Sequence, residues 1–279
     1  MEAQSDSGAV AQVGDAEFKF FRHLIHARTG IALTSSKRSL VAGRLGRRLR
    51  SLGLDSFASY RRFLETSDPS GAELTRLINC ITTNKTSFFR EESHFGVLEA
   101  HIRSAESDGR RTYRIWSAAC STGEEPYSLA MTALTARRAI EVRILASDLD
   151  TEVLAWAQEG VYPAESVAHV DERLKRRSFL RGRRDSESWV QVKPEVREMI
   201  TFRHINLIEE PWPIRAGFDA IFCRNVIIYF DRETQQRLFQ RMTRYLTAGG
   251  LLFVGHAETL FWLDELLVPI EHSVYRARN

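Results

Sequence analysis

From Tyr113 onward the apolar residues stop recurring at helical spacing and fall into short buried runs separated by helical stretches. This change of period constrains the fold more than any other feature of the chain. Runs at 113–119, 142–147, 200–205, 218–223 and 251–255 read as strands, with helices near 125–138, 151–159 and 232–246. Strands that are apolar on both faces and alternate with helices predict a doubly wound, Rossmann-like α/β sheet. Its ligand belongs beyond the carboxyl ends of the strands, where the strand order reverses.

The part before it is helical. Phe18, Phe21, Leu24 and Ile25 form a stripe that stops at Gly30, and Leu40, Val41, Leu45, Leu49 and Leu52 form a second that ends near Gly53. Two more helices are predicted at about 55–66 and 72–82. The division expected is a disordered N-terminus over 1–14, an all-helical domain over 15–84, a linker and connecting helix over 85–112, and the α/β domain over 113–279. A polar stretch at about 161–199 interrupts the last with two strand-like pieces, 177–180 and 189–192, and reads as a small β-subdomain insertion.

Composition excludes several classes. No apolar run approaches the roughly 18 residues of a membrane span, and the N-terminus lacks the pattern of a signal peptide, so a cytoplasmic protein without direct membrane insertion is expected. The three cysteines, Cys80, Cys120 and Cys223, are far apart and never in a CxxC pair. None of the eight histidines has metal-ligand spacing; His23 and His26 are three apart on one helix, which is more often structural, so no metal is predicted. Net charge is only +3, yet between Glu17 and Thr66 eleven Lys/Arg face three Asp/Glu. Such a field favours an acidic partner.

The chemistry gathers where the first strand runs into Cys120-Ser-Thr-Gly123-Glu-Glu-Pro-Tyr-Ser128, a small-residue turn that opens a helix with Pro126 in its first turn. Helix-start amides can hold an anionic group there, and Gly123 would let a ligand approach closely. The second strand ends in Ser147-Asp148-Leu149-Asp150, which places a carboxylate where nucleotide folds bind ribose. NAD would satisfy the ribose, but Glu124 and Glu125 would repel its pyrophosphate and attract the cation of S-adenosylmethionine (SAM). The same acids also read as ordinary helix caps.

Four spaced stretches narrow the choice. Thr82-Thr-Asn84-Lys-Thr86-Ser-Phe-Phe-Arg90-Glu91, Ser121-Thr-Gly-Glu-Glu-Pro-Tyr-Ser128 after Trp116-Ser-Ala-Ala, Ala146-Ser-Asp148-Leu-Asp-Thr-Glu-Val-Leu154, and Phe222-Cys-Arg-Asn225-Val-Ile-Ile-Tyr229-Phe-Asp231 resemble, in order, the signatures of the chemotaxis receptor methyltransferases, the CheR family. The resemblance runs from about Phe18 to Tyr275. It implies an enzyme that moves a methyl group from SAM to glutamate carboxylates of chemoreceptors and releases S-adenosylhomocysteine. Carried across, the SAM contacts are Asn84, Thr86, Arg90, Glu125, Asp148, Asn206, Leu207, Asn225 and Val226. Arg90 and Tyr229 are expected to orient the acceptor carboxylate, the guanidinium as a fork and the phenol as a single donor. Tyr229 also reads as a core residue of the apolar run Val226 to Phe230.

The resemblance further suggests that Lys37, Arg38, Arg44, Arg47 and Arg48, one basic helix face with Arg50 beside it, grip the acidic methylation region of a receptor helix. The competing readings are a methyltransferase acting on RNA or another acceptor, and a SAM-binding regulator without turnover. No RNA-binding motif supports the first, and the prolines that mark amino-group methyltransferases are missing between Asn225 and Tyr229. The insertion's turn, Arg181 to Arg184, has one glycine where relatives that bind a receptor's C-terminal pentapeptide have two, so no pentapeptide tether is expected. No coiled-coil heptad is present, which predicts a monomer.

Overall fold

The computed structural model describes residues 12–182 and 187–278. The chain divides into two compact units, one ending at Thr83 and one beginning at Asn84.

The first unit packs four helices: α1 (Asp15–Thr29), α2 (Arg38–Ser51), α3 (Phe57–Thr66) and α4 (Ala72–Ile81). Gly30 ends α1 in the left-handed conformation, its N–H returning to the His26 carbonyl. The predicted stripes meet inside: Phe21, Ile25, Val41, Leu45, Leu49, Tyr60 and Leu77 are buried together. Val13, expected in a disordered tail, is buried in the same cluster. One polar knot sits among them. Glu73 accepts from Arg48 Nε at 2.8 Å and from the Tyr60 hydroxyl at 2.8 Å.

The second unit starts with α5 (Ser93–Ser107), followed by β1 (Thr112–Ala118), α6 (Glu124–Ala136), β2 (Glu141–Asp148) and α7 (Thr151–Glu159). An insertion follows: β3 (Val161–Pro163), α8 (Glu172–Ser178), β4 (Phe179–Arg181), β5 (Trp189–Val192) and α9 (Pro194–Arg197). The sheet then resumes with β6 (Ile200–His204), β7 (Phe218–Phe222), α10 (Arg232–Thr243), β8 (Leu246–Phe253), β9 (Leu267–Glu271) and β10 (Val274–Ala277). The large sheet has the order β6-β2-β1-β7-β8-β10-β9. Its first five strands are parallel, and β10 runs antiparallel to both neighbours. The order reverses between β1 and β7, so the ligand crevice belongs at the carboxyl ends of these two strands.

Three details differ from the sequence expectation. Segment 85–112 is part of this unit's interior: Phe88, Phe95, Leu98 and Ile102 join the core beneath the sheet. The insertion has three strands, ordered β3-β5-β4, because Val161–Pro163 pairs with β5. The sheet also gains the C-terminal pair β9 and β10, which the alternating pattern does not announce. The glycine-poor turn of the insertion lies in part outside the described residues.

Candidate active site

The loops at the carboxyl ends of β1 and β7, together with the segment before α5, hold five non-glycine residues at positive φ: Phe89 (52°), Glu91 (57°), Ala119 (72°), Ser121 (51°) and Asn225 (58°). Each such residue costs about 1–2 kcal/mol, and they persist where the surroundings dictate the backbone, as at functional sites. Their concentration marks the reversal point of the sheet as the working region.

The turn after β1 is tied to the end of β2. Asp148 Oδ2 accepts the Ser121 amide at 2.8 Å and Oδ1 accepts the Asp150 amide at 2.9 Å. Asp150 caps α7 through the Glu152 amide, and its other oxygen accepts from Asn84 Nδ2 at 2.7 Å. The Asn84 carbonyl accepts the Ser121 hydroxyl at 3.1 Å. Asn84 and Asp148 are therefore brought together, and Asp150, not Asp148, is the helix cap. Gly123 has a different reason from the one expected. A Cβ there would lie 2.8 Å from Ala157 Cβ and 2.7 Å from the Tyr162 hydroxyl, at φ +97°. The glycine serves close packing of the turn against α7 and the insertion, and Tyr162 closes the contact by donating to the Thr122 carbonyl at 2.6 Å.

On the β7 side the organiser is Arg224, buried and adjacent to Asn225. Its Nη2 lies 2.8 Å from Glu91 Oε2, its Nη1 lies 3.0 Å from Glu125 Oε2, and Nη2 also donates to the Arg90 carbonyl at 2.5 Å. Glu125 accepts the Ser117 hydroxyl from β1 at 2.7 Å. Glu258 receives the amides of Asn225 (2.9 Å), Gly255 (2.6 Å) and Ile227 (3.2 Å), shaping the loop that presents Val226 and Tyr229. Asn225 also donates to Glu91 Oε1 at 3.4 Å. Glu91, Arg224 and Glu258 were not singled out from the sequence as site residues. For Glu91 and Arg224 the available signal was position, since Glu91 follows Arg90 and Arg224 precedes Asn225 in the quoted stretches; Glu258 lies in none of them.

The carboxyl groups divide into two kinds. Burial would raise Glu91, but the guanidinium of Arg224 and the amides of His256 and Asn225 hold it down to about 2. Glu125, Asp148 and Glu258 stay above the ordinary carboxylate range because burial outweighs their hydrogen bonds. Buried acids incompletely compensated by the protein suit a ligand that brings positive charge. The sulfonium and amino group of SAM meet that requirement, whereas a pyrophosphate does not.

The other expected residues fall less tightly. Arg90 is half-buried and its guanidinium donates to the Lys85 carbonyl at 2.9 Å. Tyr229 is half-exposed in a short 3-10 turn, between exposed Ile228 and buried Phe230, and is not a core residue. Thr86 and Val226 are half-buried. Asn206 is buried, and its side chain binds its own turn, accepting from the Ile208 amide and donating to Glu209; Leu207 is buried and its carbonyl accepts from Arg241. In the helical unit, Lys37 and Arg47 are exposed and Arg38 pairs with Asp15 at 2.5 Å. Arg44 and Arg48 differ from the expected free basic face. Arg44 donates to the Ile81 and Thr82 carbonyls, covering the end of α4, and Arg48 is held in the Glu73 knot.

A doubly wound sheet with buried acids at its reversal point defines a nucleoside-binding α/β enzyme of the SAM-dependent methyltransferase class. Comparison with known proteins makes this specific. Residues 16–82 match the CheR methyltransferase all-alpha domain, and residues 84–275 match the CheR methyltransferase SAM binding domain. The chain is 45% identical over 261 residues to chemotaxis protein methyltransferase 2 of Pseudomonas aeruginosa, covering 93% of this chain and 92% of that protein. It is 43% identical over 265 residues to the chemotaxis protein methyltransferase of Escherichia coli, covering 94% and 91%. The protein belongs to the CheR methyltransferase family, and its cofactor is SAM.

Proposed function

We propose that the protein methylates glutamate side chains of chemoreceptor cytoplasmic helices, forming methyl esters and S-adenosylhomocysteine, and that it acts as a cytoplasmic monomer. Among the described residues no helix is long and apolar enough to cross a membrane. The observation that carries the acceptor assignment is the contrast between two arginines. Arg224 is spent on Glu91, Glu125 and a carbonyl, whereas Arg90, next to it, uses its guanidinium on one carbonyl among the described contacts. A half-buried guanidinium with donors to spare, beside buried acids, suits an anionic acceptor.

SAM supplies a methyl group made electrophilic by its sulfonium. Glu125 and Asp148, with Asn84 and Ser121 fixing the turn between them, would hold the cofactor; Asn206, Leu207, Asn225, Val226 and Thr86 complete the proposed lining. A glutamate side chain in water titrates at about 4.3, so the acceptor is ionised at neutral pH and requires no general base. The protein's task is placement. Arg90 and Tyr229 orient one carboxylate oxygen toward the methyl carbon, which must approach to about 3–3.5 Å in line. Since the acceptor loses its charge as the bond forms, Arg90 must orient without binding the free carboxylate too tightly.

The test is transfer of labelled methyl from SAM to purified receptor cytoplasmic domains, followed by mild base. Label released as methanol, and lost in Arg90→Ala and Tyr229→Phe with SAM binding retained in the latter, supports the reading. Base-stable label, or label entering RNA, overturns the acceptor.

A further inference from the structure

We propose that Glu91, His94 and His256 form a binding site for one divalent transition-metal ion of the zinc class. The three side chains offer one ligand atom each, and these atoms all lie within 4.8 Å of one another. The pair of His94 Nδ1 and Glu91 Oε2 is 3.7 Å apart, and the two imidazole rings meet edge to face at 4.9 Å between centroids.

The independent observation is His94 itself. It is 1% exposed, and neither ring nitrogen has a hydrogen-bond partner; the His272 carbonyl faces the ring outside hydrogen-bonding geometry. A buried imidazole always carries a donor and an acceptor, and leaving both unmet costs about 1–3 kcal/mol each. An imidazole whose acceptor nitrogen is unmet is free to present that lone pair to a metal.

The neighbouring charges decide what can enter. Arg224 opposes a cation, but it already pairs with both Glu91 and Glu125, two carboxylates against one guanidinium. His256 is exposed, which leaves an approach from solvent, and its Nε2 is only 3.4 Å from the Ser93 hydroxyl, a weak contact. His272 has its ring nitrogen Nδ1 on the Ser273 hydroxyl at 3.0 Å and is not counted as a ligand. Two imidazoles and one carboxylate with a further position open to water are a donor set that zinc accepts, and one too rich in nitrogen for magnesium or calcium. Glu91 Oε2 is shared, so the ion takes this oxygen in competition with Arg224.

The site shares Glu91 with the Arg224 network of the candidate active site, and its test reads metal directly rather than methyl transfer. The full chain is titrated with Zn2+ by calorimetry and with Co2+ by visible absorption. One saturable equivalent is expected, with cobalt ligand-field bands and no thiolate charge-transfer band. His256→Ala, an exposed change that leaves the fold intact, should weaken binding at least roughly 100-fold, and His94→Gln should do the same if it folds. His23→Ala, in the helical unit, should leave it unchanged. No saturable binding by the folded protein, binding that survives His256→Ala, or a thiolate band overturns the proposal.

Discussion

Arg224 grips Glu91 through two nitrogens, Nη2 at 2.8 Å and Nε at 3.3 Å from the same carboxylate oxygen, although the two residues lie 133 positions apart. With Glu125 on the remaining nitrogen, one guanidinium compensates two buried carboxylates and pins the segment carrying Arg90 to the loop carrying Asn225. Arg224→Ala should therefore cost about 3 kcal/mol or more in chemical denaturation, since it strands charge in the interior. Arg224→Lys keeps the charge but loses the fork, and should fall between the two. The pH dependence has a definite sign. Glu91 is depressed to about 2 from an ordinary 4.5, so its contribution is present above 4.5 and is lost as pH falls toward 2. The stability gap between the parent and Arg224→Ala, read by denaturation followed by circular dichroism, should therefore be full at neutral pH and close as pH falls toward 2.

Glu125 carries the opposite sign. Burial raises its carboxyl, and a raised acid stabilises the fold below its unfolded value and loses that contribution as pH rises through the folded value. At pH 7 the ionised form is a cost that the protein bears without ligand. Glu125→Gln should thus unfold at no lower temperature than the parent while binding SAM roughly 10- to 100-fold more weakly, the worth of a charge-assisted contact. Calorimetric titration with SAM and thermal melts on the same sample separate the two effects. A variant that loses stability and affinity together would mean that Glu125 serves mainly as a partner for Arg224. In the parent, SAM affinity should begin to fall above pH 4.5 as pH is lowered, because Glu125 and Asp148 both protonate early.

Gly123 is a packing glycine at the mouth of the site. An alanine would drive its methyl against Ala157 and the Tyr162 hydroxyl and would hold φ at +97°. Gly123→Ala should cost about 3 kcal/mol, a fall of roughly 6–12 °C in melting temperature for a unit of this size. Tyr162→Phe removes only the bond to the Thr122 carbonyl and should cost about 1 kcal/mol. If the glycine instead served ligand approach, Gly123→Ala would lose SAM affinity with its melting temperature unchanged.

How much was legible follows from what a periodicity can carry. The central strands appear as apolar runs because both their faces are buried, as at every position of Phe218–Phe222, whereas edge strand β6 exposes Thr201, Arg203 and His204. The stripe through Phe95, Leu98 and Ile102 says helix but does not say which core it faces, which is why 85–112 reads as a connector. Strand β3 has only three residues, and β9 carries Pro269 on the sheet edge; neither length nor composition marks them as strands. The same limit applies to the site. Glu125 and Asp148 stand out because a turn and a strand end place them, and Asn84 and Asn225 through the family resemblance, whereas the pairing of Glu91 with Arg224 and the meeting of His94 with His256 depend on long-range closure that spacing does not encode.

The basic helix of the first unit separates structure from binding in a way that mutation can read. Half-buried Arg48 donates to Glu73, which also takes the Tyr60 hydroxyl, and Glu73 and Tyr60 sit in the interior of the helical unit. Arg48→Ala leaves buried Glu73 with only the Tyr60 hydroxyl and a long contact to Arg76 at 3.9 Å, and should cost about 1–3 kcal/mol. Arg47 is exposed, and nothing internal depends on its charge among the described contacts. Arg47→Glu should leave the melting temperature within about 1–2 °C of the parent, as surface changes do. If α2 grips acidic receptor helices, Arg47→Glu should slow methyl transfer to receptor several-fold at low salt, with the difference closing as ionic strength rises and the Debye length shrinks to a few ångströms. SAM affinity should not change. Equal methylation rates for Arg47→Glu and the parent across the salt series would remove the exposed part of this helix from the receptor interface, since Arg44 and Arg48 are already committed within their own unit.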